Sequence, residues 1–101
     1  MDEKKRHELI QTGWEMHSAV EEAYLRHPAT RQDQNAADAW REKQRLLLAD
    51  MAIHLLQTAI APGPIERDKL RNNLHAILTI SDPFLPLAEL KKATEKLYSG
   101  S

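Results

Sequence analysis

NAADAWREKQRLLLADMAIHLLQTAIA, residues 35–61, is the stretch of sequence that decides the fold. On a helical wheel of about 100° per residue, its apolar side chains cover most of the circumference. A helix with so wide an apolar surface has to be covered on several sides. It is therefore either the central helix of the domain or a helix that another chain partly covers. Its most continuous apolar stripe consists of Trp40, Leu47, Met51 and Leu55.

The same helix carries one narrow polar band, which consists of Lys43, Asp50, His54 and Gln57. We expect this polar band to face solvent, as the polar strip of an amphipathic helix does. Asp50 and His54 are spaced i, i+4, which allows a carboxylate and an imidazole to meet on one helix face. We interpret this pair as a solvated or structural contact.

The remaining sequence predicts further helices, because apolar residues recur at helical spacing and no alternating pattern marks a strand. Pro28 ends the first helix, and Asp33 or Asn35 can cap the second. Pro64 fits the first position of the third helix, where its missing N–H has no intrahelical partner. We predict one all-α domain over residues 1–101. It is a small bundle of three to four helices, at about 2–27, 36–60, 64–80 and 86–98.

Two residues interrupt the apolar pattern of the first helix. Gly13 costs about 1 kcal/mol relative to alanine in a helix interior, and we interpret it as a point of close packing against another helix. His17 lies within the apolar face, one turn before Glu21. It is either a hydrogen-bonded packing residue or a contact to a ligand or partner.

Composition excludes several classes of function. The chain is 42% hydrophobic and 29% charged, which is typical of a globular protein. It contains no cysteine, which excludes disulfides and cysteine-ligated zinc. Its net charge of −1 lacks the positive excess on which non-specific nucleic-acid binding depends. No secretory signal or membrane-spanning apolar run is present, so we expect a cytoplasmic protein that does not bind membranes.

No motif supports catalysis. The serines have no nucleophile context, and the glycines are too far apart to form a phosphate-binding loop. His7, His17 and His27 recur every ten residues, a spacing that fans them around the helix and prevents them from sharing one metal ion. We therefore predict a protein that is not an enzyme and that carries no cofactor and no metal.

The favoured hypothesis is a protein–protein interaction module of the adaptor, chaperone or inhibitor type. It would act by covering a partner through an apolar helical face, and it would form a homodimer when free. Two observations support this hypothesis. The predicted helices are too few and too short to cover all of the apolar surface, and Trp and Met are favoured in the cores of protein interfaces. The candidate partner-binding residues are Trp14, His17, Trp40, Leu47, Met51 and Leu55.

Two alternatives remain open. A transcriptional regulator could use the basic residues of segment 66–73 to contact nucleic acid. A metal-binding helical protein or an enzyme could instead use Asp50, His54 and His17.

The order of features from Trp40 onwards resembles that of the helical flagellar export chaperones. These features are a long helix, the break APGP at 61–64, and then LRNNLHAIL at 70–78 and ELKKATEKL at 89–97. The resemblance serves as an example of the binding-module class.

Overall fold

The computed structural model describes residues 1–27 and 37–99, and within them the chain forms helices and no strand. The all-α prediction is therefore confirmed. None of the described helices is long and apolar enough to cross a membrane. The four α-helices are α1 (Glu3–Arg26), α2 (Ala37–Ile60), α3 (Arg67–Ser81) and α4 (Leu90–Tyr98), with two 3-10 turns at Asp82–Phe84 and Pro86–Ala88.

The ends of α1 follow from its flanking residues. The Asp2 carboxylate accepts a hydrogen bond from the Lys5 backbone N–H at 2.7 Å and so caps the helix. At the other end His27 is extended, the conformation that a residue preceding a proline prefers. The predictions for Pro28, Asp33 and Asn35 lie outside the described residues.

The two shorter helices begin later than predicted. Pro64 was predicted at the first position of α3, but the helix begins three residues further on, after Glu66 in an extended conformation. Gly63 precedes this linker with a φ of 81°, a left-handed conformation that glycine adopts without strain. Before α4, Glu89 has a φ of 53° and separates the 3-10 turn from the helix, which shortens the predicted 86–98 helix to nine residues.

Each helix packs chiefly on its neighbours in the sequence, in the order α1–α2, α2–α3 and α3–α4. The result is a flat layer of 49 × 36 × 16 Å. Its radius of gyration is 15.7 Å, against roughly 13 Å for a compact domain of this length. Among the described residues, no large side chain is fully buried. Thus α2 is the central helix, but the layer does not enclose a dry core.

The helices α1 and α2 pair as an antiparallel hairpin. As residue numbers rise along α1, the numbers of their partners fall along α2. Four contacts define this register, namely Arg6 with Ile60, Ile10 with Gln57, His17 with Asp50, and Tyr24 with Lys43.

The polar band of α2 packs against α1, so the prediction that it faces solvent is wrong. Gln57 is only 8% exposed, and the side chain of Asp50 is 13% exposed. Gln57 Nε2 donates to the Ile10 carbonyl oxygen at 2.7 Å, and Lys43 Nζ donates to the His27 carbonyl oxygen at 3.2 Å. Because α1 supplies hydrogen-bond partners for these groups, the polar band lies in the contact between α1 and α2.

Gly13 packs tightly against α2 in this contact, which confirms its predicted packing role. It is buried, and a Cβ atom built on it would lie 2.3 Å from Gln57 Nε2. The missing side chain at position 13 therefore leaves the space in which the Gln57 amide reaches the α1 backbone.

An exposed apolar stripe remains on the far side of α2. It consists of small residues around one leucine, and Leu56 is 39% exposed. We call this stripe the alanine seam, and its members are Ala49, Ala52, Leu56 and Ala59.

Candidate functional site

A cluster of ionisable side chains lies at the middle of the α1–α2 contact. His17 on α1 directs its Nδ1 atom at Asp50 Oδ1 on α2, and the two atoms are in hydrogen-bond contact. His54, one turn after Asp50, places its Nε2 atom 3.4 Å from Asp50 Oδ2. One carboxylate therefore joins imidazoles from two helices. We call His17, Asp50 and His54 the central cluster.

A second carboxylate holds the far side of the His17 ring. His17 Nε2 lies 2.9 Å from Glu21 Oε2, the i, i+4 contact that the sequence allowed. Both ring nitrogens of His17 thus face carboxylate oxygens. A neutral imidazole carries a hydrogen on only one nitrogen, so this arrangement suits either a protonated ring or a ring bound to a cation.

Trp14 covers the central cluster on one side. Its ring meets the His17 ring edge-on at a centroid distance of 5.5 Å and the His54 ring at 5.8 Å. The side chains of His17 and His54 are 20% and 32% exposed, so the cluster is sheltered but reachable. Trp14 itself remains 45% exposed.

Chemically, the central cluster offers two imidazole nitrogens and a carboxylate. One ligand atom from each side chain lies within 4.8 Å of the others. Such a set can hold a proton between the two helices or coordinate a metal ion. The sequence analysis grouped these three residues only in the alternative hypothesis of a metal-binding protein or an enzyme.

A groove of about 490 Å³ adjoins the cluster and runs between α1, α2 and α3. On the α2–α3 side, the Thr58 hydroxyl donates to Asn73 Oδ1 at 2.5 Å. The Gln57 side-chain oxygen is buried and has no hydrogen-bond partner. Residues from all three helices line the groove, among them Ile10, Trp14, His54, Thr58, Lys69 and Asn73.

The structure brings two of the predicted partner-binding residues together. Trp14 and His17 meet at the central cluster. The remaining four residues are partly buried along α2 and stay predicted partner contacts; they are Trp40, Leu47, Met51 and Leu55.

Segment 66–73 presents mixed charge. Lys69 pairs with Glu66 at 3.3 Å, and Arg71 pairs with Asp68 at 2.7 Å. These ion pairs offset the positive charge that a nucleic-acid contact would use. Segment 66–73 therefore presents a face of mixed charge and not a basic patch.

Two features were missed by the sequence reasoning. The contact between His17 and Asp50 was not predicted, although an antiparallel pairing of the two long helices would have placed them opposite one another. The residues of the alanine seam belong to the wide apolar surface expected for this helix, but they were not predicted as a partner-binding stripe of their own. They recur at intervals of three and four, a detectable signal of a helix-contacting stripe.

Comparisons with protein-family models, with curated proteins and with solved structures find no match for this chain. The resemblance to flagellar export chaperones therefore stays a prediction about the class of protein.

Proposed function

We propose that this chain is a cytoplasmic protein-interaction module that works without catalysis by covering an apolar helix of a partner protein. When free, it covers its own alanine seam with a second copy. The observation that carries this proposal is the amount of surface that the isolated chain leaves open.

The exposed area is large for the mass of the chain. The accessible surface is 7491 Å², whereas a folded monomer of 11.6 kDa exposes roughly 5,800 Å². The excess is about 1,700 Å² per chain, which is about twice the roughly 800 Å² that each partner of a standard-size interface buries. A chain of this size in which none of the described large side chains is fully buried gains much of its stability from association.

The spacing of the alanine seam favours a helix as its occupant. Ala49, Ala52, Leu56 and Ala59 follow intervals of three, four and three residues, the repeat by which two helices interlock. Small side chains allow two helix backbones to approach closely, and Leu56 supplies one larger residue to fill the contact. The seam ends near the exposed ion pair of Glu42 and Arg45, which lies on the same side of α2.

A second copy of the chain is the occupant that these facts favour. A two-fold interface uses the same patch on both subunits, and an uncharged seam of small residues is complementary to itself. A heterologous partner would engage the same seam by displacing the second copy. Free and partner-bound forms would then be mutually exclusive.

Solution molar mass by light scattering, over a series of protein concentrations, tests the proposal. We expect the wild type to approach twice the chain mass and Leu56→Glu to remain a folded monomer. Leu87→Glu is the matched control, because Leu87 is 95% exposed and lies far from α2 in sequence. It should behave as the wild type does.

Circular dichroism on the same samples separates loss of association from loss of folding. If Leu56→Glu unfolds, Ala52→Arg at the exposed centre of the seam takes its place. A wild type that stays monomeric at high micromolar concentration contradicts the self-association. A dimer that persists in both seam variants contradicts the choice of surface.

A further inference from the structure

We propose that the central cluster binds a divalent first-row transition-metal ion, with Zn²⁺ the best fit to its donors. The ligands are His17 Nδ1, His54 Nε2 and an oxygen of Asp50. The site bridges α1 and α2. This inference does not depend on the proposed function, since the three ligands come from one chain and none belongs to the alanine seam.

The donor set selects the class of ion. Two imidazole nitrogens and one carboxylate suit Zn²⁺, Fe²⁺, Ni²⁺ or Cu²⁺, whereas Mg²⁺ and Ca²⁺ prefer oxygen ligands throughout. Two histidines with one carboxylate are also a set that zinc proteins use when the fourth position stays open to water or substrate.

The spacing of the donors is close to what coordination requires. Zinc binds imidazole nitrogen at about 2.0–2.1 Å, so neighbouring ligand atoms in a tetrahedral site lie roughly 3.3 Å apart. The three ligand atoms already lie within 4.8 Å of one another. Asp50 contacts both imidazoles, so an ion bound here replaces these direct contacts, and the His17 and Asp50 donors move apart to the spacing that coordination requires.

Side chains around His17 would orient it as a metal ligand. Metal-bound histidines usually donate their second ring N–H to a carboxylate, which fixes the ring and raises its basicity. Glu21 Oε2 occupies that position, 2.9 Å from His17 Nε2. Trp14 lies edge-on against both imidazoles and limits the access of water from one side.

A bare ion pair between a protonated His17 and Asp50 is the competing explanation. It accounts for the contact between α1 and α2, but it predicts no preference for Zn²⁺ over Mg²⁺. A metal ion adds a charge that two nearby carboxylates, Asp50 and Glu21, can neutralise. The difference in metal response therefore distinguishes the two explanations.

Isothermal titration of Zn²⁺ into the full chain, freed of any affinity tag and of bound metal, is the direct experiment. We expect one equivalent to bind per chain and the thermal unfolding midpoint to rise with Zn²⁺ but not with Mg²⁺. Co²⁺ should give the visible absorption of a tetrahedral ion bound to nitrogen and oxygen. His54→Ala should weaken Zn²⁺ binding at least about tenfold and abolish this absorption.

Two further variants complete the test. His7→Ala is the matched control, since His7 is an exposed histidine on α1, and it should bind Zn²⁺ as tightly as the wild type. Glu21→Gln changes a side chain that is 51% exposed and should weaken binding by roughly tenfold while the fold is kept. The proposal is overturned if the wild type binds Zn²⁺ no more tightly than His54→Ala. It is equally overturned if His7→Ala loses as much affinity as His54→Ala does.

Discussion

Replacing Gly13 by alanine sets two effects of opposite sign against each other. In an ordinary helix interior this change raises the free energy of unfolding by about 1 kcal/mol. Here the new Cβ would lie 2.3 Å from Gln57 Nε2 and 2.8 Å from its Cδ, so the Gln57 side chain has to move. Overpacking of this kind costs about 1–3 kcal/mol. The displaced amide also loses its 2.7 Å hydrogen bond to the Ile10 carbonyl oxygen, worth about 1 kcal/mol.

The net expectation for Gly13→Ala is a loss of about 1–3 kcal/mol of unfolding free energy. For a chain of about 100 residues, this lowers the thermal unfolding midpoint by at least about 4 °C. Chemical denaturation followed by circular dichroism measures the free energy. Thr12→Ala, on the exposed side of the same helix, is the control and should stay within about 0.5 kcal/mol of the wild type.

A double-mutant cycle isolates the contact. In a Gln57→Ala background there is no side chain to displace, so Gly13→Ala should become neutral or stabilising by up to about 1 kcal/mol. The sign of the Gly13→Ala effect therefore reverses between the two backgrounds. Stabilisation by Gly13→Ala in both backgrounds would refute the close-packing explanation.

Two further contacts give predictions of similar size. Arg6 Nη1 donates to the Ile60 carbonyl oxygen at 2.5 Å and supplies the positive charge that the last turn of α2 lacks, so Arg6→Met should cost about 1–2 kcal/mol in denaturant titrations. Thr58→Val keeps the side-chain shape but removes the hydrogen bond to Asn73. It should lower the unfolding free energy by about 1 kcal/mol, whereas Thr79→Val at an exposed site on α3 should have little effect.

The helices themselves were predictable because their signals are local. Apolar spacing places the helix interiors, and the break at Ala61 to Pro64 follows from the backbone limits of proline and glycine. The late start of α4 was not predictable from spacing. It depends on Glu89 adopting a left-handed conformation after the 3-10 turn, which residues other than glycine do uncommonly.

The orientation of α2 could not be obtained from its own sequence. Periodicity shows which residues share a face, but not which neighbour covers that face. The polar band became internal because α1 offers matching groups at the same register, notably His17 opposite Asp50 and the Ile10 carbonyl opposite Gln57. Because the polar band of α2 packs against α1, the apolar residues on the opposite side of α2 stay exposed.

The reactivity of a single cysteine tests most directly whether a second chain covers the alanine seam. The chain has no cysteine of its own, so Ala52→Cys places one thiol at the centre of the seam and Gln11→Cys places one at an exposed site on α1. We predict that both thiols react readily with a water-soluble reagent in dilute protein. As the concentration rises, the rate for Ala52→Cys should fall several-fold while that for Gln11→Cys stays constant. A rate for Ala52→Cys that stays constant at every protein concentration would contradict the account.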